Sequence, residues 1–322
     1  MKGKWIKIQK PMVGVCYALI PATLFGIYNF GWRAVSVLAV SFVLGTAAEA
    51  WFTLRHGKPV TSAVFVTCLL YGLIMPPSVP LWIVGVGIVF AVVFGKMVFG
   101  GFGQNVYNPA MVGRCFVYIS FPVAMTSHWN QALDWFPRGL DNWLVDAMTT
   151  ATPLAAAGAG DPEPLWRIFI GATGGSIGET CFPLILLGGV YILWKKWASW
   201  RTVVATTVFA VVPQTILWLA GVTPIDPLYM ILSGGFALGV LFMATDPVSS
   251  ANTDTGRWVY GAIIGLSTVA IRTFGNFPEG FMFALLLGNT FAPIVDYHVK
   301  ERQKKKKEAA RQAEAKARGE VP

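Results

Sequence analysis

Apolar segments long enough to cross a lipid bilayer recur along this chain, and they constrain its fold more than any other feature. A membrane-spanning helix needs about 20 apolar residues, or fewer where the helix is interrupted. Ten segments approach this length: 12–30, 34–54, 61–75, 81–99, 109–125, 178–196, 201–220, 227–244, 258–275 and 279–298. The sequence therefore predicts an all-α integral membrane protein with about ten transmembrane helices.

The composition supports lipid rather than nucleic acid as the surroundings of this chain. Charged residues make up 13% of the sequence, against roughly 25% in soluble domains. The net charge of +9 is concentrated near the two ends, as membrane topology requires. Four cysteines without Cys-x-x-Cys spacing and three distant histidines predict neither a metal site nor a haem pair.

The spans divide the chain into four regions. Residues 1–125 form a first five-helix bundle, and residues 178–299 form a second bundle with broken helices. Between them lies a long polar loop, residues 126–177. After it, residues 300–322 form a basic tail without an apolar stripe, which we expect to be a frayed helix or disordered and to touch anionic lipid headgroups.

Charge asymmetry between the loops predicts the orientation. An even number of spans places both termini on one side, and the loops on that side carry most of the lysines and arginines. The loop at 126–177 instead holds five acidic residues, Asp134, Asp141, Asp146, Asp161 and Glu163. The positive-inside rule therefore predicts cytoplasmic termini and an external loop in a multi-pass inner-membrane protein.

The external loop contains the threonine-rich sequence Thr149-Thr150-Ala151-Thr152, which is followed by Pro153. A proline disfavours helical backbone at the residue before it, so a helix should not run through Thr152. Thr152 is then either an ordinary N-cap or a hydroxyl presented for chemistry. Local sequence leaves both interpretations open.

Glycine-rich polar runs interrupt several spans, at residues 100–105, 174–180 and 233–235. Non-helical backbone at membrane depth is tolerated where it is buried in protein or lines a cavity. The run that contains Gly175, Ser176 and Thr180 enters the sixth span, where it could face a phosphate. Gly234 and Gly235 fit close helix packing better.

Ionisable groups in or beside spans usually face the interior or a water pathway. Glu179, Asp246 and Asp296 are of this kind, whereas Arg272 fits snorkelling at a span end. Asp246 suits an Asx-type turn or a contact to an ion or flavin. Asn105, Asn108 and Arg114 offer amides and a cation at a cytoplasmic mouth. These residues by themselves fit a solute transporter or channel as well as a redox subunit.

In combination and in order, these motifs resemble the flavin-carrying membrane subunits of two related ion pumps. These are the D component of the Rnf complex, a ferredoxin:NAD oxidoreductase, and the B component of the sodium-pumping NADH:quinone reductase. The similar stretches include Val98-Phe99-Gly100-Gly101-Phe102-Gly103-Gln104-Asn105, Asn108-Pro109-Ala110, residues 174–180, Phe242-Met243-Ala244-Thr245-Asp246-Pro247 and Pro278-Glu279-Gly280. They cover nearly the whole chain from Ser62 to Asp296.

The resemblance implies a covalent flavin. In that family a Ser-Gly-Ala-Thr motif carries FMN as a phosphoester on its last threonine, and Thr152 occupies this place. It also implies that Asp146, Thr149, Gly175, Ser176, Glu179 and Thr180 lie near that flavin. A second, noncovalent flavin, riboflavin or FMN, would lie near Asn105 and Asn108. Asp246 and Asp296 would belong to the ion pathway. At the residue after Lys96, where one branch often has Glu, this chain has Met97.

The resemblance further implies the function and the partners. The chain would pass electrons through the membrane within a multi-subunit complex that exports sodium or protons, after maturation by a flavin transferase. Tyr118-Ile119-Ser120-Phe121-Pro122 is similar to the Rnf branch, which we favour. Thr253-Asp254-Thr255-Gly256-Arg257-Trp258 and Asp296-Tyr297 are more similar to the quinone-reductase branch.

Overall fold

A computed structural model describes residues 6–126, 152–275, 277 and 280–317. The helices are α1 (Lys10–Arg55), α2 (Ala63–Leu73), α3 (Leu81–Val92), α4 (Pro109–Ser120), α5 (Pro122–Thr126), α6 (Pro153–Gly158), α7 (Leu165–Ile170), α8 (Phe182–Trp194), α9 (Trp200–Leu219), α10 (Pro227–Leu232), α11 (Phe236–Leu238), α12 (Asp254–Phe274) and α13 (Gly280–Ala317). π-Helical turns at Val93–Met97 and Gly239–Met243 extend α3 and α11. Two short strands, β1 (Ile6–Lys7) and β2 (Val60–Thr61), pair in parallel.

Helix α1 consists of two antiparallel arms that meet at Gly31. This glycine has φ 60° and ψ −147°, a conformation that a side chain would strain. Pairing of β1 with β2 brings the residues before and after α1 together. Because each arm is about 30 Å long, the chain must reverse direction at Gly31. The predicted spans 12–30 and 34–54 are therefore both present within α1.

Two of the helices that stop short of membrane length hold the third position in each predicted bundle. Helix α2 has 11 residues and ends before Met75-Pro76-Pro77. Helix α10 has six residues and ends at a break formed by Ser233, Gly234 and Gly235, both glycines having positive φ. Interrupted helices in corresponding positions of two halves are a common sign of a binding site in membrane proteins.

Length and composition allow three of the described helices to cross a membrane: Lys10–Arg55, Trp200–Leu219 and Gly280–Gln312. Shorter apolar helices lie at Ala63–Leu73, Leu81–Met97 and Phe182–Trp194. The all-α membrane architecture is thus confirmed, while the number of ten spans stays a prediction. Exposed tryptophans accompany the helix ends, as expected at membrane interfaces; they are Trp32, Trp51, Trp82, Trp166, Trp194, Trp200 and Trp218.

The two predicted bundles touch through α1 and α8, while α9 and α12 make the most extensive helix contact. Gly261 and Gly265 of α12 lie directly against the backbone of α9, so that an added Cβ at Gly261 would come within 2.9 Å of the Thr206 nitrogen. Such small residues allow helices to approach closely inside a membrane.

The basic tail continues α13 as helix as far as Ala317, without a break after the span. Of the two alternatives expected for the tail, a solvated helix or disorder, these residues adopt the helix. Ion pairs one turn apart stabilise a helix even where it has no apolar stripe, and Glu301 pairs with Lys305 at 2.8 Å.

Candidate functional site

A polar cavity of about 50 Å³ lies near the end of the bundle that carries the N-terminus. We call it the Asp246 cavity. Its polar lining residues are Thr67, Lys96, Asn105, Asn108, Thr245 and Asp246, and its apolar lining includes Phe102, Trp197 and Phe242. The structure therefore brings together Asn105, Asn108 and Asp246, which the sequence singled out separately.

A buried asparagine that the sequence analysis missed joins the walls of the Asp246 cavity. Asn108 caps α4 by accepting from the Ala110 nitrogen, and its own nitrogen donates to Asn289 Oδ1 at 3.1 Å. Asn289 Nδ2 donates to the Ser249 carbonyl at 3.1 Å and to the Tyr260 hydroxyl at 2.8 Å. A fully buried amide with every group bonded fixes the spacing of the three elements it touches.

Asp246 forms the Asx-type turn that its sequence predicted. Its carboxylate accepts from the Ser249 nitrogen at 3.1 Å and from the Ser249 hydroxyl at 2.7 Å. Since the residue also lines the cavity, the turn and a contact to an ion or flavin are compatible.

A buried ion pair between Lys96 and Glu49 stands beside the Asp246 cavity. Glu49 also accepts from the Thr61 nitrogen at 3.0 Å and from the Thr61 hydroxyl at 2.6 Å. Lys96 lines the Asp246 cavity, whereas Glu49 lines a neighbouring cavity of about 430 Å³. The pair thus separates an inner cavity from an outer one. Sequence reasoning missed Glu49, although a carboxylate inside the apolar segment 34–54 was a sufficient signal.

A second polar cavity, of about 40 Å³, has Thr152 on its wall. We call it the Thr152 cavity. It is lined by Thr152, Pro153, Leu154, Ile168, Thr173, Gly174, Gly175, Ser176, Glu179, Thr180, Leu232, Ser233 and Gly234. Thr152 and five residues of the run at 174–180, which are distant in sequence, therefore share one site.

Thr152 is the N-cap of α6. Its backbone is extended, with φ −65° and ψ 154°, and its hydroxyl accepts from the Ala155 nitrogen at 3.2 Å. The prediction that no helix runs through Thr152 is confirmed. Because a capping hydroxyl can also border a cavity, the capping and chemical interpretations do not exclude each other. Asp146 and Thr149 lie outside the described residues.

Arg114 belongs to the Thr152 cavity region, which corrects its expected place beside Asn105 and Asn108. Its Nη1 donates to Glu179 Oε1 at 2.8 Å, and its Nη2 lies 3.4 Å from Ser176 Oγ. Arg114 sits one and a half turns after Asn108 on α4, so the helix itself carries its guanidinium away from the Asp246 cavity. Glu179 is thereby a buried partner of a fixed cation.

The run at 174–180 is non-helical and attached to the end of α2. The Ile177 nitrogen donates to the Met75 carbonyl at 3.1 Å, and the Gly178 nitrogen to the Leu73 carbonyl at 2.7 Å. These bonds satisfy the carbonyls that the short helix leaves exposed. Beside them the Thr180 hydroxyl is buried without a hydrogen-bond partner among the described residues. A buried unsatisfied hydroxyl on a cavity wall is a ready contact for a ligand.

Two residues hold the broken helix α10 and the segment after Thr152. Arg272 is buried, and it donates to the carbonyls of Met230 at 3.1 Å and Gly234 at 2.7 Å, so the expectation that it snorkels was wrong. The Tyr229 hydroxyl donates to the Pro153 carbonyl at 2.9 Å and accepts from the Glu163 nitrogen at 3.2 Å. Neither role is visible from sequence spacing.

Asp296 belongs to α13 and lies apart from both cavities, with its carboxylate against the start of α12. Its carboxylate accepts from the Asn252 nitrogen at 2.6 Å, the Thr253 nitrogen at 3.0 Å and the Thr253 hydroxyl at 2.6 Å. These bonds stabilise the turn before α12, so Asp296 has a structural role. Its place in an ion pathway stays a prediction.

The fold and the two sites define a multi-pass helical membrane protein whose interrupted helices enclose buried polar cavities. Residues 4–305 match the NQR2, RnfD, RnfE family. This chain belongs to that family, and the resemblance seen in its motifs is confirmed.

Relatives from both branches of the family are similar to this chain. It is 40% identical to the B component of the Na(+)-translocating NADH-quinone reductase of Azotobacter vinelandii over 278 residues, which are 82% of this chain and 66% of the relative. The same figures hold for the corresponding protein of Ectopseudomonas mendocina. It is 34% identical to the D component of the proton-translocating ferredoxin:NAD(+) oxidoreductase complex of Clostridium ljungdahlii, over 90% of this chain and 89% of the relative. The chain thus spans slightly less than two thirds of the first two relatives.

Proposed function

We propose that this chain is the flavin-carrying membrane subunit of an ion-translocating oxidoreductase complex of the Rnf type. It passes electrons through the membrane, coupled to export of sodium or protons. Both similar groups of relatives carry names of ion-translocating oxidoreductase subunits. The quinone-reductase branch, with its B component, is the alternative, and it is supported by the higher identity of those relatives.

The observation that carries this proposal is the meeting of two distant stretches at one cavity. Thr152 lies at the place of the family's flavin-bearing threonine, and it shares the Thr152 cavity with Gly175, Ser176 and Thr180. An ordinary N-cap would not require such a partner loop. The orphaned Thr180 hydroxyl and the neighbouring Ser176 hydroxyl offer hydrogen bonds to phosphate oxygens.

The residues present fit the phosphate end of FMN. A phosphoester on Thr152 would place its oxygens beside hydroxyls and a non-helical glycine run. Glu179 lies on the cavity wall, and Arg114 behind it offsets the negative charge of this carboxylate through the ion pair at 2.8 Å. The cavity of about 40 Å³ is smaller than a flavin ring system, so these residues would hold the phosphate and not the ring. The flavin supplies the electron chemistry, while the chain supplies position and electrostatics.

The Asp246 cavity provides the second part of the proposal. Asn105 and Asn108 line it with amide groups suited to a noncovalent flavin. Asp246 lines this cavity, and the Lys96–Glu49 pair stands between it and the outer cavity, which favours these residues for the ion route. Orientation follows the positive-inside rule, with both termini cytoplasmic and residues 126–177 external. A flavin transferase and further subunits complete the assembly.

Covalent attachment is tested by denaturing the protein, since a phosphoester survives unfolding and a bound cofactor does not. Full-length protein made with an active flavin transferase should show a fluorescent flavin band on a denaturing gel. Mass spectrometry should locate FMN on the peptide that contains Thr152. We expect Thr152→Ala to abolish the band, while Thr149→Ala, which removes a hydroxyl outside the acceptor position, should only reduce it.

Two outcomes contradict this assignment in different ways. A band of unchanged intensity in Thr152→Ala would mean that another residue bears the flavin. Wild-type protein without a band, although the transferase modifies a known substrate in the same cells, would favour a transporter or channel without a redox centre.

A further inference from the structure

The basic part of α13 has charges on all sides and no apolar surface. Seven cationic and two acidic residues lie between Lys300 and Gln312, a net charge of +5. Every side chain from Arg302 to Gln312 is exposed. In the described part of the chain, the ion pairs of this segment are internal: His298–Glu301, Lys305–Glu301 and Lys304–Glu308. Nothing apolar is available to dock this helix against a partner.

The position of this segment along the helix places it at a membrane surface. Helix α13 begins at Gly280, and its apolar part ends near Tyr297. At 1.5 Å per residue that part is about 27 Å long, close to the roughly 30 Å of a bilayer's hydrocarbon core. Lys300 then reaches the headgroup level. Lys304 and the three lysines after it lie roughly 9–14 Å past the core, within reach of the headgroups by extended side chains.

The same end of the bundle carries other anchors of a membrane interface. The Arg55 guanidinium lies 4.2 Å from the centre of the Trp51 ring, and Lys195 Nζ lies 4.5 Å from the Trp194 ring. Asp296, next to the tail, binds the turn before α12, and Asp254 of α12 pairs with Arg201. The tail therefore leaves the bundle where cations and tryptophans already mark the interface.

The arrangement of charges around the helix distinguishes two kinds of anionic partner, an acidic protein surface and anionic lipid headgroups. Residues 304–307 are four consecutive lysines. Because successive residues are turned by about 100°, the four side chains point in all directions around the axis. A protein partner contacts one side of a helix, whereas lipid headgroups surround it completely. A ring of charge fits the second situation.

We infer that Lys304, Lys305, Lys306 and Lys307 form a collar that gathers anionic phospholipid headgroups around α13. The collar is a lipid-binding element separate from both polar cavities, and it does not depend on the flavin. The lysine ammonium groups bind the headgroup phosphates, and salt should weaken the interaction because the collar is exposed to solvent. The helix beyond it remains in water.

The test measures which lipids lie next to the tail in the full-length protein. A fluorophore is placed on Gln303→Cys in a background without the four native cysteines, and the protein is reconstituted into phosphatidylcholine nanodiscs with one tenth phosphatidylglycerol. Quencher-bearing forms of each lipid report the local composition. We expect phosphatidylglycerol near the probe to be about threefold above its bulk fraction at low salt, and to fall to the bulk fraction at high salt.

Two variants of equal net charge separate the collar from a general charge effect. Replacement of the four collar lysines by Gln, a good helix former, should remove the enrichment and leave the helix intact. Replacement of Lys10, Lys58, Lys195 and Lys196 by Gln should leave the enrichment unchanged. Bulk composition around the wild-type probe would overturn the collar. Immobilisation of the probe in the assembled complex in neutral lipid alone would also overturn the collar. This result would assign the tail to an acidic protein surface.

Discussion

The Asp246 cavity and the Thr152 cavity are similar in size, about 50 Å³ and about 40 Å³, and a buried ion pair borders each of them. The pair at the first is Lys96–Glu49, and the pair at the second is Arg114–Glu179. The cations differ in kind. Lysine is a compact point charge on a flexible stem, whereas arginine presents a planar group of donors that holds a carboxylate in a fixed geometry.

The cavities that the two carboxylates border also differ. Glu49 borders an outer cavity of about 430 Å³, while Glu179 borders the small Thr152 cavity and lies against Gly235, where an added Cβ would come within 2.3 Å of its Oε1. The first pair is therefore suited to a charge that enters and leaves. The second pair is suited to a permanent field beside an attached group. One fold thus places two different kinds of ion pair beside its two cavities.

Breaking the static pair should have the largest effect. Arg114→Leu leaves Glu179 buried without its cation, and we expect the free energy of unfolding to fall by about 3–5 kcal/mol. The double variant Arg114→Leu/Glu179→Leu removes both charges and should recover most of that loss. Thermal unfolding of the purified protein in detergent measures both. A double variant as unstable as the single one would contradict the assignment of the loss to the unpaired carboxylate.

Breaking the exchangeable pair should cost less stability and more function. In Lys96→Met the Glu49 carboxylate keeps two hydrogen bonds from Thr61 and faces the outer cavity. We therefore expect the free energy of unfolding to fall by less than the roughly 3–5 kcal/mol of an uncompensated buried charge, together with loss of ion uptake by proteoliposomes that contain the assembled complex. Met97→Leu, in the same π-helical turn, is the control and should retain uptake. A stability loss equal to that of Arg114→Leu would remove the distinction between the two pairs.

The smallest expected effect concerns the segment after Thr152, which lies at the same cavity as the Arg114–Glu179 pair. Tyr229→Phe removes the hydroxyl that holds the segment after Thr152, and we expect a loss of about 1 kcal/mol. Hydrogen exchange of residues 153–163 should accelerate while the helix core stays protected. Tyr107→Phe removes a more exposed hydroxyl that contacts Thr290 at 3.3 Å, and it should leave this exchange unchanged. Equal exchange in wild type and Tyr229→Phe would show that other contacts hold the segment.

Some of this site could be predicted from sequence because its signals are local. Pro153 fixes the backbone at Thr152, and the glycine run before Thr180 marks an irregular stretch, so both were found. The ion pair of Arg114 with Glu179 joins residues 65 positions apart. Its partners follow from how α4 packs against the entry to α8, which spacing does not encode.

Prediction of the fold from sequence has the same limit, because long-range contacts are not visible in it. Apolar runs predicted helices at nearly every place where the structure has them, since burial in lipid needs only composition. They did not predict that α10 has six residues, because its break depends on Arg272 binding the freed carbonyls from another helix. Because Arg272 binds these carbonyls, it is buried and does not snorkel at a span end as expected.

The parallel pairing of β1 with β2 has a consequence for the order of events during synthesis. Gln9, which follows β1, bonds to Ser62, 53 residues later, so the first residues have no native partner until the two arms of α1 have been made. At 5–20 residues per second this interval is about 3–10 s. The segment from Ile6 to Gln9 therefore stays unpaired while the first hairpin forms. Its closing is a late step, and a bulky tag before Ile6 would interfere at that moment rather than in the finished protein.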